Sequence, residues 1–415
     1  MIESGAEYDI VIVGGGAAGL MAAVIASGEK CRVAVFEKNS RCGRKLLLTG
    51  KGRCNITNTR QWRDFKEHIH PDSGFFRPSF MAFSNEDTVS MFNKLGLSTV
   101  EERGQRVFPA SGKSSDVRDA MESYVTASSN VEIFCDMEVL SVKRVDGCGF
   151  IINALSLSNR MDVSCVKARA VIIATGGLSY PATGSTGDGY RFAESMGHSI
   201  VRTRPSLTAL MPQGYNFALS GLTLRNVALS LIVDGGVVRE EFGELTFTND
   251  GLEGALGFRV SRKAVAALDS GKRVAVRIDL KPAVSEAELK SRIEREYRKG
   301  LRLARFVGNF LPVQAVAPFM DANPSLNVSN LPVKLKNWEM PLKGYKDYSR
   351  AVVTSGGVSL DEISRKTMES KLMPGLYFAG EVMDLDADTG GYNLQIAFST
   401  AASAVRAAVA NVSER

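Results

Sequence analysis

Gly14, Gly16 and Gly19 stand at G-x-G-x-x-G spacing in "GGGAAG", directly after the apolar run "YDIVIV" (Tyr8–Val13). The chemistry this spacing serves is the holding of a pyrophosphate. The first glycine permits a tight turn, the second lets the backbone approach the phosphates with no Cβ in the way, and the third lets a helix pack closely on a strand. The anion then meets unpaired N–H groups and the positive end of a helix, here opened by Ala17 and Ala18. Glu37 lies 23 residues after Gly14, at the end of a second apolar run, "RVAVFEK" (Arg32–Lys38). A carboxylate there accepts hydrogen bonds from the hydroxyls of an adenosine ribose and repels a 2′-phosphate. Lys38 is placed to border the adenine.

Two later blocks decide between dinucleotides. "ATGG" (Ala174, Thr175, Gly176, Gly177) closes the apolar run "RAVII", and "GLYFAGE" ends on Gly380 and Glu381. FAD is long and needs a second strand end for its ribitol and flavin, a use that Glu381 fits. "TGGYNLQIA" (Thr389–Ala397) then opens an Ala-rich helix. Backbone N–H groups of Asn393, Leu394 and Gln395 would point at the flavin pyrimidine edge, where negative charge grows on reduction. A plain NAD enzyme has no need of this block, so the expected cofactor is FAD. Val139, Gly187 and Asp386 complete the expected cofactor contacts.

The stretch "SRCGRKLLLTGKGRCNITN" (Ser40–Asn58) packs five basic residues, three glycines and two cysteines. It invites four readings: a metal site, a redox disulfide, a polyanion patch or a cofactor cradle. No C-x-x-C pair exists anywhere, which removes the common zinc and thioredoxin-like spacings. Eleven residues separate Cys42 from Cys54, too many for the usual flavin-linked disulfide. The simpler assignment is a loop wrapping FAD from pyrophosphate to flavin. Gly43, Gly50 and Gly52 would offer backbone N–H groups, Lys45, Lys51 and Arg53 positive charge, and Thr49, Asn55 and Thr57 neutral hydrogen bonds. Cys54 is expected near the flavin, unpaired. Lys51, Tyr180 and Tyr392 are the candidate catalytic groups, with Lys113 a weaker one in "RVFPASGKSSDV". His68, His70 and His198 show neither a nucleophile partner nor ligand spacing, and no metal site is expected.

These motifs need a scaffold. Strand, glycine turn, helix and strand form a βαβ unit at the start. The blocks around residues 169–177, 374–381 and 394–412 share its style, so one α/β domain is assembled from separated segments. Between them "NVALSLIVDGGVVREEFGELTFT" (Asn226–Thr248) alternates around "DGG", a hairpin signal. "SEAELKSRIEREYRKG" (Ser285–Gly300) reads as a helix with a Ser285/Glu288 capping box and interleaved charges, a solvated face. The expected domains are 1–199 with 352–415 for the cofactor, 200–265 with 315–351 for an inserted β part, and 266–314 for a small helical part.

The 415 residues carry 51 Lys and Arg against 45 Asp and Glu, a net charge of +6 that permits an anionic ligand without demanding nucleic acid. The six cysteines are few for this length, the N-terminus has no basic leader, and no apolar run approaches the ~20 residues of a membrane span. The expectation is a cytoplasmic, reduced protein of unassigned oligomeric state, with a small-molecule substrate and no nucleic-acid or membrane partner.

With "GRKLLLTGKGRCNITN", "GQRVFPASGKSSDV", "ATGGLSYPATGSTGDGY", "TSGGVSLDEISRKTMESKLMPGLYFAGEVMD" and "TGGYNLQIAFSTA", the chain resembles the BaiN-like / aminoacetone-oxidase family of FAD-dependent bacterial flavoproteins. The resemblance implies a glutathione-reductase-like Rossmann FAD domain with an inserted β-barrel that carries a small helical subdomain. It also implies an oxidoreductase passing hydride between flavin N5 and a small organic substrate, with activities in the family that include reduction of steroid enones and oxidation of an aminoketone. Members often carry a His-Phe-Gly-Leu-Ser-Gly-Pro-like stretch in the insertion. Here it reads "NDGLEGALG" (Asn249–Gly257), a departure by which the resemblance assigns no particular substrate if that stretch lines the pocket. There is no second G-x-G-x-x-G, so NAD(P)H enters only as a transient reductant. Two alternatives remain from other classes: a flavin-dependent RNA-modifying protein, and a flavin redox sensor without turnover.

Overall fold

A computed structural model describes residues 5–145, 149–158, 163–297 and 301–413. Cys148, and Arg298, Lys299 and Gly300 at the end of the charged helix, lie outside the described residues. Two compact units are formed, Met1–Thr203 with Val353–Arg415, and Arg204–Val352.

In the first unit, β1 (Glu7–Val13) pairs in parallel with β2 (Val33–Phe36) on one side and with Val163–Ile173 on the other. Ile10 to Val13 are all buried, because a central parallel strand has both faces covered. Helix α1 (Ala17–Ala26) covers one face, and its small residues let it pack against the closing helix Tyr392–Ser413. Val131–Phe134 extends the parallel sheet beyond β2. The long strand Val163–Ile173 divides its partners. Its first half carries the antiparallel Gly149–Ser156, followed by Met137–Val145, and its last three residues pair in parallel with Leu376–Phe378. Strand order therefore reverses between β1 and Val163–Ile173. Ligands of such sheets sit at the carboxyl ends of the strands beside that reversal.

The second unit holds a closed barrel in the order Leu210–Pro212, Gly251–Glu253, Gly236–Thr248, Thr223–Val233, Val274–Asp279 and Trp338–Tyr345. The expected hairpin turns at Asp234 and Gly235, with φ of +50° and +88°, the left-handed pair that a tight two-residue turn demands. Val274–Asp279 corrects the expectation of a helical stretch over 266–314. Its alternating buried and half-buried residues pair on both edges and complete the barrel. The helices Glu286–Glu296, Leu303–Val307, Val313–Asp321 and Leu331–Lys336 run on past that stretch. Ser285 and Glu288 form the capping box, and the first of these helices ends at Glu296, where Tyr297 turns extended. Phe319 packs edge-on against the buried Trp338 of the barrel, ring centroids 5.4 Å apart.

Candidate cofactor and active site

The glycine turn has the shape its spacing requires. Gly14 has φ +102°, and a Cβ on it would stand 2.6 Å from the Ala174 carbonyl oxygen. A Cβ on Gly19 would stand 1.8 Å from the Gly14 oxygen, so only glycine lets α1 lie this close to β1. A Cβ on Gly16 would meet nothing within 4 Å. Open space thus lies in front of the first turn of α1, at Ala17 and Ala18, where the helix has no side-chain cap. This cradle fits a pyrophosphate.

At the end of β2, Glu37 is 7 % exposed. Its Oε2 accepts from Gly15 N at 2.8 Å, and its Oε1 accepts from Asn39 N at 2.8 Å and Asn39 Nδ2 at 2.5 Å. Glu37 therefore braces the turn and holds a carboxylate beside it. Lys38 Nζ pairs with Asp188 Oδ2 at 2.6 Å and with Thr186, which brings the segment around Gly187 to the same strand end. Met137 N donates to Glu37 O at 3.0 Å, placing the buried Val139 on the adjoining strand.

The second strand end is built around Glu381. Lys45 Nζ lies 2.7 Å from Glu381 Oε2, and Thr354 N donates to Glu381 Oε1 at 2.9 Å. A Cβ on Gly177 would stand 2.5 Å from Thr354 Oγ1 and 3.0 Å from Glu381 Oε1. Gly380 has φ +75°, and a Cβ there would lie 3.0 Å from the Ala18 Cβ. Ala174 N donates to Val13 O at 2.9 Å. Gly14–Ala18, Ala174–Gly177, Lys45 and Gly380–Glu381 therefore converge at the strand carboxyl ends.

The Ser40–Asn58 segment spans this region. Gly43 N donates to Gly15 O at 2.9 Å, Lys45 reaches Glu381, Thr57 Oγ1 donates to Gln395 Oε1 at 2.6 Å, and Asn58 Nδ2 donates to Gly390 O at 3.1 Å. Its bend at Gly50, Lys51 and Gly52 has three positive φ values, 57°, 58° and 84°. Thr49 Oγ1 donates to Leu46 O at 2.6 Å and Thr49 O accepts from Cys54 N at 3.0 Å, holding the bend closed. Asn55 Oδ1 is buried with no hydrogen-bond partner among the described residues, an acceptor that a bound donor would satisfy.

One basic residue departs from its expected use. Arg53 pairs with Glu102 and lies over the Phe108 ring at 4.4 Å, so its charge is already engaged, and Lys51 is exposed. Cys54 is fully buried, and burial pushes its thiol up to about 12. Cys42 and Cys54 are both free thiols; Cys42 hydrogen-bonds Cys135, which holds the Cys42 thiol well above its usual range.

At the start of the closing helix, Gln395 N donates to Gly391 O at 3.2 Å. This corrects the expectation that Gln395 offers its N–H outward. The first-turn amides of Asn393 and Leu394 precede the helical ladder. The Asn393 side chain accepts from Ala387 N and donates to Ala387 O, both at 2.8 Å, next to the buried Asp386. Tyr392 is 3 % exposed, edge-on to Phe65 at 4.8 Å and stacked on His68 at 4.3 Å. Tyr180 is half-buried with φ +54°, next to Ser179, whose N donates to Thr354 Oγ1 at 3.1 Å.

The histidines are less ordinary than their spacing suggests. His68 Nδ1 lies 3.0 Å from Asp388 Oδ2, and His70 Nε2 lies 3.4 Å from Asp388 Oδ1. Arg60 Nη1 approaches His68 Nε2 at 3.4 Å. His198 is buried between Glu362 and Ser370. Asp388 is over three hundred residues from either of its histidines in the chain, which left no sequence signal for the cluster. Among the described residues no group of three or more His, Cys, Asp or Glu could hold a metal ion, and no helix is long and apolar enough to cross a membrane.

The family model for the HI0933-like protein Rossmann domain matches residues 8–407. The chain belongs to that family. It is 30 % identical over 414 residues to the 3-dehydro-bile acid delta(4,6)-reductase of Clostridium scindens, covering 96 % of this chain and 98 % of that protein. It is also 30 % identical over 413 residues to the ribosomal RNA dihydrouridine synthase of Escherichia coli, covering 95 % and 96 %. Among solved structures, E. coli quinol fumarate reductase superposes with a TM-score of 0.53 at 16 % identity, covering 99 % of this chain and 71 % of that one. The 3-ketosteroid-delta4-(5alpha)-dehydrogenase of Rhodococcus jostii superposes with a TM-score of 0.50 at 16 % identity, covering 99 % and 98 %. At such identities these two show the fold. The HI0933-like chain is an FAD-dependent oxidoreductase with the Rossmann-plus-barrel architecture.

Proposed function

We propose that this protein reduces a carbon–carbon double bond conjugated to a carbonyl group. The two named relatives support this, because a dienone and a uracil ring share that group: each has a C=C polarised by a neighbouring carbonyl. The single observation that carries the cofactor part is the convergence of the Gly14–Gly19 cradle with Glu37, Lys45 and Glu381.

When bound, FAD supplies hydride chemistry at N5. The chain's own residues do the holding. Gly14, Gly16 and Gly19 with the α1 N-terminus take the pyrophosphate. Glu37 takes the adenosine ribose, with Lys38, Val139 and Gly187 around the adenosine end. Glu381, fixed by Lys45 and Thr354, takes the ribitol, and Ala174–Gly177 forms the wall between the two ends. Asn55 and the first-turn amides of Asn393 and Leu394 take the polar edge of the flavin, where backbone donors stabilise developing negative charge. The substrate is a small conjugated carbonyl compound, with NAD(P)H as transient reductant. The five free thiols among the described residues suit a cytoplasmic setting.

A second reading, a uracil ring within RNA, is favoured by one observation. Residues 204–352 hold 22 Lys and Arg against 15 Asp and Glu, net +7, while the rest of the chain holds 29 against 30. The excess positive charge is therefore confined to the inserted unit, as a polyanion-binding element would have it.

The deciding experiment is anaerobic mixing of the purified yellow protein with NADH or NADPH, then reoxidation by 2-cyclohexenone, a 4-en-3-oxosteroid or a uridine-containing RNA. Bleaching followed by reoxidation with a small enone supports the first reading. Reoxidation by RNA alone supports the second. Reoxidation by air alone makes the protein an oxidase, and a colourless protein that refuses FAD overturns both.

A further inference from the structure

Hydride addition to the β-carbon of an enone breaks the C=C π bond and leaves an enolate. The reaction is complete only when a proton reaches the α-carbon, so the site needs an acid. Tyr392 is poorly suited to this, since it is 3 % exposed and enclosed by Phe65 and His68. Resting on the ene-reductase reading above, we propose that His68 Nε2 is the proton-transfer atom, oriented by Asp388.

The two-residue strands Ile69–His70 and Asp386–Ala387 pair antiparallel, and Asp388 N donates to His68 O at 2.9 Å. This ribbon seats the Asp388 carboxylate, 6 % exposed, between two imidazoles. Arginine has no acceptor and keeps its proton, so its approach to His68 Nε2 makes that nitrogen the acceptor. The ring proton then resides on Nδ1 and is donated to Asp388. A buried carboxylate that fixes the Nδ1–H tautomer and stabilises an imidazolium leaves Nε2 for proton transfer. The Arg60 contact, 3.4 Å, is at the long end of hydrogen bonding, so a substrate atom can replace it. Stacking on Tyr392 holds the ring plane, and Tyr392 begins the closing helix whose first-turn amides are assigned to the flavin edge. His68 therefore takes a proton from solvent at Nε2, passes it to the α-carbon of the enolate, and returns to neutral. His70 and Asp388 are positioning residues.

The test uses the FAD-loaded protein, reduced anaerobically and mixed with 2-cyclohexenone or a 4-en-3-oxosteroid. His68→Ala should retain FAD and be reduced at the wild-type rate, while its reoxidation by enone slows about 100-fold, the low end for losing a general acid. Added imidazole should restore part of that rate, which a merely structural loss would not allow. Asp388→Asn should slow reoxidation by a smaller factor. A second readout needs no turnover. The chain has three histidines, so a 15N-histidine spectrum contains three imidazoles. His68 should show the Nδ1–H tautomer, and Asp388→Asn should abolish that preference. If wild type is reoxidised by enone and His68→Ala matches its rate, the assignment of His68 falls alone. If wild type is not reoxidised by either enone, the ene-reductase reading falls and takes the assignment with it. An Nε2–H tautomer for wild-type His68 also overturns the assignment.

Discussion

Lys45 and Glu381 are 336 residues apart in the chain, and the Lys45 ammonium lies 2.7 Å from the Glu381 carboxylate. Both side chains are about one-fifth exposed, 22 % and 20 %. The pair fastens the Ser40–Asn58 segment to the second strand end, so it is a constraint on the cofactor site as well as an ion pair.

Removing either partner leaves the other charge poorly compensated in a half-buried place. Lys45→Ala and Glu381→Ala should each weaken FAD binding by about tenfold or more, the order expected from losing one charged hydrogen bond of roughly 1.5–3 kcal/mol. Flavin fluorescence titration of the apoprotein measures this. Wild-type affinity in both variants would detach the pair from the cofactor.

Gly16 and Gly19 separate folding from binding. Gly19→Ala places a methyl 1.8 Å from the Gly14 oxygen and should lower the yield of folded protein or shift its melting temperature strongly downward. Gly16→Ala meets no protein atom within 4 Å and keeps an ordinary negative φ of −76°. It should melt like the wild-type apoprotein yet purify nearly colourless. Thermal denaturation beside the absorbance ratio at flavin and protein wavelengths distinguishes the two outcomes.

The thiols should differ in reactivity. The Cys42 S–H supports the Cys135 thiolate, holding Cys135 below the usual thiol range, while burial pushes Cys54 up to about 12 and Cys31 to about 11. Thiolate is the nucleophile. Brief iodoacetamide treatment near pH 7.5, read by peptide mass spectrometry, should label half-buried Cys135 before Cys31, Cys42 or Cys54.

His198 should make the fold acid-sensitive. Burial lowers its folded pKa, with the neighbouring Glu362 opposing part of the effect. The unfolded state then binds the proton more readily than the folded state. Stability is full above the unfolded value of about 6.5 and is lost as pH falls from there through the folded pKa. Urea unfolding at pH 7.5 and 5.5 should show a larger acid-induced loss for wild type than for His198→Gln. An equal loss would assign the sensitivity to other groups.

Local features were legible where their cause is local. "GGGAAG" with Glu37 announces its turn because the positive φ of Gly14, the approach of Gly19 to the Gly14 oxygen and the bond from Gly15 N to Glu37 all lie within one βαβ unit. "DGG" announces its hairpin because two left-handed residues are needed side by side, and Ser285 with Glu288 announces a helix start. The Val274–Asp279 strand was missed because six alternating residues between helices acquire meaning only from partners on both edges. Arg53 was assigned to the cofactor because nothing in its own segment shows that Glu102 takes its charge. The Asp388 cluster and the Thr354 contacts to Ser179 and Glu381 are products of strand ends meeting, and no spacing encodes them.

The divided strand Val163–Ile173 has a consequence for synthesis. Its last residues gain their partner, Leu376–Phe378, only after about 200 further residues have been made, including the whole barrel unit. At ordinary elongation speeds that delay is roughly 10–40 s. During that time the nascent chain carries an apolar strand edge with nothing beside it, and the Glu381 end of the cofactor cradle does not yet exist. Flavin loading is therefore an event of the finished chain, and the newly made protein depends on protection of that open edge until Leu376–Phe378 arrives.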